Sequence, residues 1–189
     1  MNRLTLVFLP LALLISPLAA QENEVQEREI EDAAVRPHIG FHLGYAGIEK
    51  ADNTLEFGAH AEVGSFKTPR LRFALGLDYL STDTERPPRP AGSFSDLSVN
   101  GDLRFKPFRV RGVAPYLGAG IGLHFRDNDY DDPNIADIYD GMAVGGQAFA
   151  GVLVDGTEGG RWGFSGELRV VRAQNLNRTS LRAGLFLRL

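Results

Sequence analysis

Residues 115–125 read PYLGAGIGLHF, and every second residue in the middle of this apolar stretch is a glycine. Counted in twos, the residues from Leu117 to Phe125 form one apolar face, and Gly118, Gly120 and Gly122 lie on the other. This is the period of a β-strand, whose successive side chains point to opposite sides of a sheet. Glycine weakens the interior of a strand, so three glycines on one face indicate a place where larger side chains do not fit.

Seven further segments between Arg36 and Leu189 alternate in the same way. One face of each segment is built from Leu, Ile, Val, Phe and Tyr, and the other from glycine, alanine and single polar or charged residues. The sixth segment, residues 142–154, alternates weakly, and its facing stays open. Eight strands of about ten residues, joined in sequence, predict an all-β fold: an eight-stranded antiparallel up-and-down barrel over residues 36–189.

The connectors between these strands alternate in length. Tight turns follow the second, fourth and sixth strands, whereas long connectors at 82–94 and 126–140 follow the third and fifth. We expect the long connectors outside the cell, and residues 21–35 with Leu189 on the periplasmic side. The stretch 127–140 is rich in aspartate, but it lacks the glycine and the closing glutamate of a calcium loop, so a solvated acidic loop is predicted and weak divalent binding stays open.

The face that points outward decides between a membrane barrel and a soluble, lipocalin-like ligand carrier. A water-facing sheet is rich in Lys, Thr, Glu and Gln, whereas the polar face here is mostly glycine and alanine with single charges. An eight-stranded barrel is just wide enough for side chains to fill it, so glycines make room for charged groups from other strands. The sequence therefore predicts a transmembrane barrel with an apolar exterior and these charges inside: Glu56, Glu62, Asp78, Asp102, Glu167, Arg72, Arg104, Arg169, Arg182 and Arg188.

Aromatic residues near the strand ends predict two interfacial girdles, as in membrane barrels. The two groups are Tyr45, Tyr79, Phe94, Phe125 and Tyr130 near the long connectors, and Phe66, Phe105, Phe108 and Trp162 near the short turns.

The turn lengths also predict partners inside the barrel. A symmetric turn after the second strand sets Glu62 opposite Arg72, and the first connector sets His42 opposite His60. Glu167 comes within reach of Arg182 on the last strand. We expect two lumen ion pairs, and histidines that pack together rather than bind a metal.

The first twenty residues have the pattern of a secretory signal peptide. Arg3 is followed by an apolar stretch and by small residues at Ala19 and Ala20. Residues 21–35 are acidic and poor in apolar groups, which predicts a solvated periplasmic segment. The formal net charge of −4 argues against a nucleic-acid partner, and the absence of cysteine excludes disulfides and thiolate metal sites.

The sequence offers no catalytic machinery. His42, His60 and His124 are predicted to face the lumen, and no nucleophile can be placed beside a base. No catalytic, cofactor-binding or metal-binding residue is therefore assigned, no cofactor is expected, and the protein is predicted not to be an enzyme. A lipid-modifying membrane enzyme is the alternative.

The signal peptide, the eight alternating segments, PYLGAGIGLHF and the closing stretch SLRAGLFLRL resemble the small outer-membrane β-barrels of Gram-negative bacteria, the outer membrane protein A type barrel domain and its relatives. Members of that family usually end in Phe, whereas this chain ends in Leu189. The resemblance implies a monomer in the cell outer membrane with a structural or surface-interaction role through its loops, not a wide pore. The implied partners are outer-membrane lipid and lipopolysaccharide, the barrel-assembly machinery acting on the last strand, and an unidentified loop partner.

Overall fold

The structure is a computed structural model that describes residues 37–49, 52–84, 92–129, 141–157, 160–174 and 176–189. It contains a closed antiparallel barrel in which each strand pairs with its sequence neighbours and the first pairs with the last. The strands are β1 (His38–Ile48), β2 (Thr54–Phe66), β3 (Thr68–Thr84), β4 (Gly92–Phe105), β5 (Val113–Asn128), β6 (Gly141–Asp155), β7 (Trp162–Ala173) and β8 (Leu176–Arg188). The predicted fold is confirmed. The predicted signal peptide and acidic segment lie outside the described residues, as do 85–91 and 130–140.

Within the described ranges, no helix is long and apolar enough to cross a membrane.

The two faces of the barrel have opposite chemistry. Large apolar side chains cover the outside; Phe41 is 66% exposed and Ile121 is 69% exposed. The inside holds buried carboxylates and guanidinium groups, with smaller clusters of apolar side chains beside them. A soluble ligand carrier would show the reverse arrangement, because a continuous apolar exterior is unfavourable in water. This surface fits lipid, where the closed barrel also leaves no unpaired strand edge.

The structure settles the facing of β6, which the sequence left open. Gln147, Phe149 and Leu153 are buried in the lumen, and Met142 and Val144 are exposed on the outside. The alternation is weak because glycine and alanine occupy several positions on both faces of this strand. The polar side chain and the aromatic ring of β6 therefore both contribute to the interior.

Strands extend into both regions predicted to be long connectors. β3 runs to Thr84, β4 starts at Gly92 and β5 continues to Asn128. The predicted connectors at 82–94 and 126–140 are thus shorter than expected, with strand residues at their ends. Charged and hydroxyl side chains in these extensions hid the strand pattern, since the alternation there is no longer between apolar and polar residues.

One of the predicted girdle residues is misplaced. Phe94 is 2% exposed and packs in the lumen against Ile48, Leu80 and Leu176, so its assignment to the girdle was wrong. It pairs with Thr82 on the inward side of the extended β3–β4 ladder. Tyr130 lies outside the described residues. The other predicted girdle residues lie on the outer surface, exposed or partly exposed: Tyr45, Tyr79, Phe125, Phe66, Phe105, Phe108 and Trp162.

The predicted register is wrong at two places. Phe66 pairs with Thr68 as the predicted register requires, but Glu62 lies opposite Ala74, because irregularities between Ser65 and Phe66 and between Glu62 and Gly64 shift the ladder. His42 lies opposite Gly58 and His60 opposite Gly40, a slip of two residues from the predicted pairing. The first error comes from these irregularities and the second from assuming a symmetric connector. Both preserve the facing, because each displaces the pairing by two residues.

Candidate functional site in the barrel lumen

The glycines of β5 are required by their neighbours in the lumen. A β-carbon at Gly118 would overlap the ring of Phe149, and one at Gly120 would overlap the carboxylate of Asp102. A β-carbon at Gly122 would collide with the amide oxygen of Asn100. One strand therefore gives up its side chains so that neighbouring strands can project theirs into the same narrow space.

Charge is balanced inside the barrel. Among the described residues that are fully buried, six are acidic and six are arginines. The acids are Glu56, Glu62, Asp78, Asp96, Asp102 and Glu167, and the arginines are Arg72, Arg104, Arg126, Arg169, Arg178 and Arg182. A buried charge is costly unless it is paired, so this balance is a condition for the fold to be stable in lipid.

The centre of the network is organised by two arginines. Arg182 contacts the carboxylates of Glu56 and Asp78, the latter at 3.0 Å, and approaches Glu167 at 3.6 Å. Arg169 binds Glu167 at 2.7 Å and Asp102 at 2.9 Å. The predicted pairing of Glu167 with Arg182 is confirmed, and the two residues are direct partners across β7 and β8.

Aromatic and amide groups complete the central network. Tyr116 donates a hydrogen bond to Glu167 at 2.9 Å, and the Arg169 guanidinium lies 4.5 Å from the centre of the Phe149 ring. Gln147 donates to Asp102 and accepts from Arg169 at 3.0 Å. These contacts provide further hydrogen bonds for carboxylates and guanidinium groups that already form ion pairs. They hold the side chains in one arrangement.

A second group of charges lies nearer the long connectors. His124 contacts Asp96 at 2.9 Å, and Arg178 lies 3.5 Å from both Asp96 and Glu56. The sequence analysis missed Asp96 and Arg178. They stand two positions before Ser98 and Ser180, which are buried on the inward faces of the same strands. The period-two pattern, continued by one step, is the signal that could have found them.

A third group surrounds Glu62 near the short turns. Arg72 lies 3.3 Å from this carboxylate, so the predicted ion pair is confirmed despite the shifted register. His38 at 3.3 Å and Lys106 at 2.7 Å complete the group. Lys106 follows the last residue of β4, and burial lowers the pKa of its ammonium group while the Glu62 carboxylate opposes that shift. The group forms a charged layer across this part of the lumen.

The histidines pack as predicted. The rings of His42 and His60 lie 6.1 Å apart between centroids, and those of His38 and His60 lie 5.4 Å apart. In the described part of the chain, no three His, Cys, Asp or Glu side chains come together in a way that could hold a metal ion. That the histidines do not bind a metal remains a prediction.

The cavity among the central charges is small. A cavity among the central charges offers about 20 Å³ to the centres of water molecules, which is room for one or two waters. Apolar clusters lie toward both ends. One cluster comprises Ala46, Ile48, Leu80, Phe94 and Leu176, and the other Ala114, Tyr116, Phe149, Leu153 and Phe186. The interior is filled with side chains, as predicted.

Among the described residues, no histidine lies on the lipid-facing surface. All four histidines of the chain belong to strands and point into the lumen: His38, His42, His60 and His124. General-base catalysis needs a base within hydrogen-bond reach of the group that it deprotonates. A lipid chain held against the outer face does not reach these rings.

Comparison with known proteins gives similarity at the level of fold. No protein-family model and no curated protein matches the chain. Neisserial surface protein A is 17% identical, with a TM-score of 0.59 over 81% of this chain and 97% of that one. The outer membrane enzyme PagL is 13% identical, with a TM-score of 0.58 over 79% and 99%. The attachment invasion locus protein Ail of Yersinia pestis, solved with the heparin analogue sucrose octasulfate, is 12% identical, with a TM-score of 0.55 over 82% and 99%.

The closed eight-stranded barrel, its apolar exterior and these similarities agree with one another. At such low identity the comparisons establish the architecture and not the activity. The protein has the fold of the small outer-membrane β-barrels.

Proposed function

We propose that this protein is a monomeric outer-membrane barrel whose work is structural or is done by the loops at its long-connector end, and that it is not a wide pore. The observation that carries the proposal is the lumen, in which acids and arginines from facing strands are buried and the cavity among the central charges has room for only one or two waters. A permeation path would need mobile water along the whole axis. Loops carry most binding functions in barrels of this kind, and the longer connectors of this chain lie at this end.

Conductance in planar bilayers tests the absence of a wide pore. We expect no large, stable single-channel currents from the refolded protein, because the central ion pairs occupy the full width of an eight-stranded barrel. A wide porin inserted in the same bilayer is the control for detection. Large currents without denaturant or mutation would overturn the proposal.

The long-connector end is acidic. Its exposed acids include Glu49, Asp83, Asp127 and Asp129, whereas Arg172 is an exposed base. The comparison structure of Ail holds a polysulfated ligand, and a ligand of that kind would be repelled here. We therefore propose that the loop partner presents a basic surface, for which electrostatic complementarity increases the rate of encounter.

Site-directed crosslinking on intact cells tests this interaction. Photoreactive residues at Asp83 and Asp129 should capture a partner, and the same group at Arg161, at the opposite end of the barrel, is the matched control. Excess heparin should not compete, and excess oligolysine should. Competition by heparin alone would contradict a basic partner.

Lipid modification remains the alternative function, because PagL, an enzyme, shares the fold. The inward position of every histidine argues against it. Mass spectra of lipid A from cells with and without the protein should be identical. A lost or transferred acyl chain in the presence of the protein would favour the enzyme.

For membrane insertion, we propose that the assembly machinery engages β8, whose outward face ends in Leu185, Leu187 and Leu189.

A further inference from the structure

Three turns at the short-turn end repeat one pattern, a cation next to an exposed apolar side chain. Lys67 follows Phe66, Arg111 follows Val110, and Arg161 precedes Trp162. Phe66, Val110 and Trp162 are each about half exposed, as is Phe108 on the second turn. We call Phe66, Lys67, Phe108, Arg111, Arg161 and Trp162 the basic aromatic rim.

Lys67 lies 5.5 Å from the centre of the Phe66 ring, and no described carboxylate pairs with a rim cation. The acids at this end among the described residues are Glu62 and Asp155, and both are buried beneath other cations. Asp155 contacts Arg109 and Arg188, and Glu62 contacts Arg72 and Lys106. Within the described ranges, Lys67, Arg111 and Arg161 therefore have no acidic partner.

Backbone conformation at two of these positions is unfavourable for the residue that occupies it. Lys67 has a φ of 61° and Arg111 a φ of 49°, a region that glycine and asparagine adopt far more readily. Arg111 and Gly112 form the two-residue turn between Val110 and Val113, where Asn-Gly is the preferred sequence. A long cationic side chain at both turn tips is thus not explained by turn formation.

Position relative to lipid explains the pattern. The exposed rim side chains continue the apolar outer face of the barrel at its edge, where aromatic rings favour the membrane interface. Lys and Arg at that depth extend along the apolar surface and place their charge among the headgroups. Phosphate accepts hydrogen bonds from both cations. The opposite end of the barrel, with Glu49, Asp83, Asp127 and Asp129, repels the same groups.

We propose that the basic aromatic rim binds the headgroups of anionic glycerophospholipids in the leaflet at the short-turn end. The choice of glycerophospholipid over lipid A rests on the proposed orientation, in which this end faces the periplasm. The binding is additional to the role of the loops. It holds the barrel at a fixed depth and favours one orientation in an asymmetric membrane.

Trp162 is the single tryptophan of the chain and reports on its lipid neighbours directly. The full protein is refolded into phosphatidylcholine vesicles in which a minor fraction of lipid is brominated phosphatidylglycerol or brominated phosphatidylcholine. Bromine quenches the fluorescence of Trp162 at contact. We expect the relative association constant for the anionic lipid to be roughly threefold higher at low salt, and to approach equality at high salt as the charges are screened.

Substitutions test whether the rim cations cause the preference for anionic lipid. The triple variant Lys67→Gln, Arg111→Gln, Arg161→Gln should lose the preference, and Arg172→Gln at the other end should keep it. Both variants are first checked for the heat-modified gel mobility of a folded barrel. Equal quenching by the two lipids in the unmodified protein at low salt, or an unchanged preference in the folded triple variant, would overturn the proposal.

Two further measurements show which group lies at the basic aromatic rim. Unlabelled phosphatidylglycerol should relieve the quenching at a lower mole fraction than unlabelled lipid A, and the reverse order would overturn the assignment to glycerophospholipid. Replacing the six acids of residues 21–35 with their amides should leave the preference unchanged. A preference that appears only in that variant would show that the acidic segment occupies the rim. None of these readouts depends on the loop partner, so failure here leaves the proposed function intact.

Discussion

Glycines that face the lumen are needed because larger side chains there would collide with their neighbours. Gly120 faces Asp102, and a leucine there would force the charged network apart. Gly120→Leu should lower the free energy of unfolding by about 2 kcal/mol or more, as overpacking does in other interiors. Ala119→Leu, one residue away on the lipid face, is the control and should have little effect. The measurement is urea unfolding in lipid vesicles, and equal midpoints for the two variants would contradict the assignment.

Arg182 approaches three carboxylates of the central network. Arg182→Met leaves the carboxylates of Glu56, Asp78 and Glu167 without this partner, and we expect a loss of about 3–5 kcal/mol in unfolding free energy. Adding Asp78→Asn should restore part of the loss, because it removes one uncompensated charge. Arg172→Met, on the outer surface, should be nearly silent. A double variant no more stable than the single one would argue against direct coupling.

For single residues, the sequence predicted which side of the sheet a side chain faces, but not which residues it contacts. Period-two alternation placed the five acids and five arginines inside, since facing depends only on parity. It did not predict that Arg178 bridges Asp96 and Glu56, because contacts across the lumen join strands that are distant in sequence. Phe94 was misassigned because an aromatic near a strand end fits both a girdle and an inward apolar cluster.

Among the elements, the β4–β5 turn carries a testable backbone requirement. Gly112 has a φ of 79°, and a β-branched residue is strained there whatever the space around it. Gly112→Val should cost about 1–2 kcal/mol of stability. Gly146→Val is the matched control, because Gly146 lies on the outer face of β6 and a β-carbon there meets open space. Thermal or urea unfolding of the folded barrels measures the difference, and equal losses would show that the turn conformation is not the cause.

Strands were predictable where one face is uniformly apolar. β6 was ambiguous because small residues occupy both of its faces, and only pairing with β5 and β7 fixes its orientation. The register of β2 against β3 was not predictable, since the irregularities at Glu62–Gly64 and at Ser65–Phe66 shift the ladder without altering the composition of either strand. Local pattern determines facing, whereas register depends on backbone irregularities that leave little trace in sequence.

For the whole molecule, the proposed orientation predicts a pattern of proteolysis. Proteinase K added to intact cells should cleave within 85–91 and 130–140 and spare the turns at 106–112 and 156–161. Cells with a permeabilised outer membrane are the control, in which residues 21–35 should also be removed. Removal of 21–35 from intact cells, with the long connectors uncut, would show that the barrel has the opposite orientation.

The network around Arg182 also constrains how the barrel assembles. Arg182 and Glu56 are separated by 126 positions in the chain, and their contact forms only when β8 closes against β1. Until then, carboxylates contributed by the early strands lack the cation supplied by the last one, so a half-built barrel is poorly suited to the hydrocarbon layer. We therefore expect insertion and closure to occur together. A chain interrupted before β8 should form no smaller stable barrel, because Glu56 and Asp78 would lack the cation of Arg182.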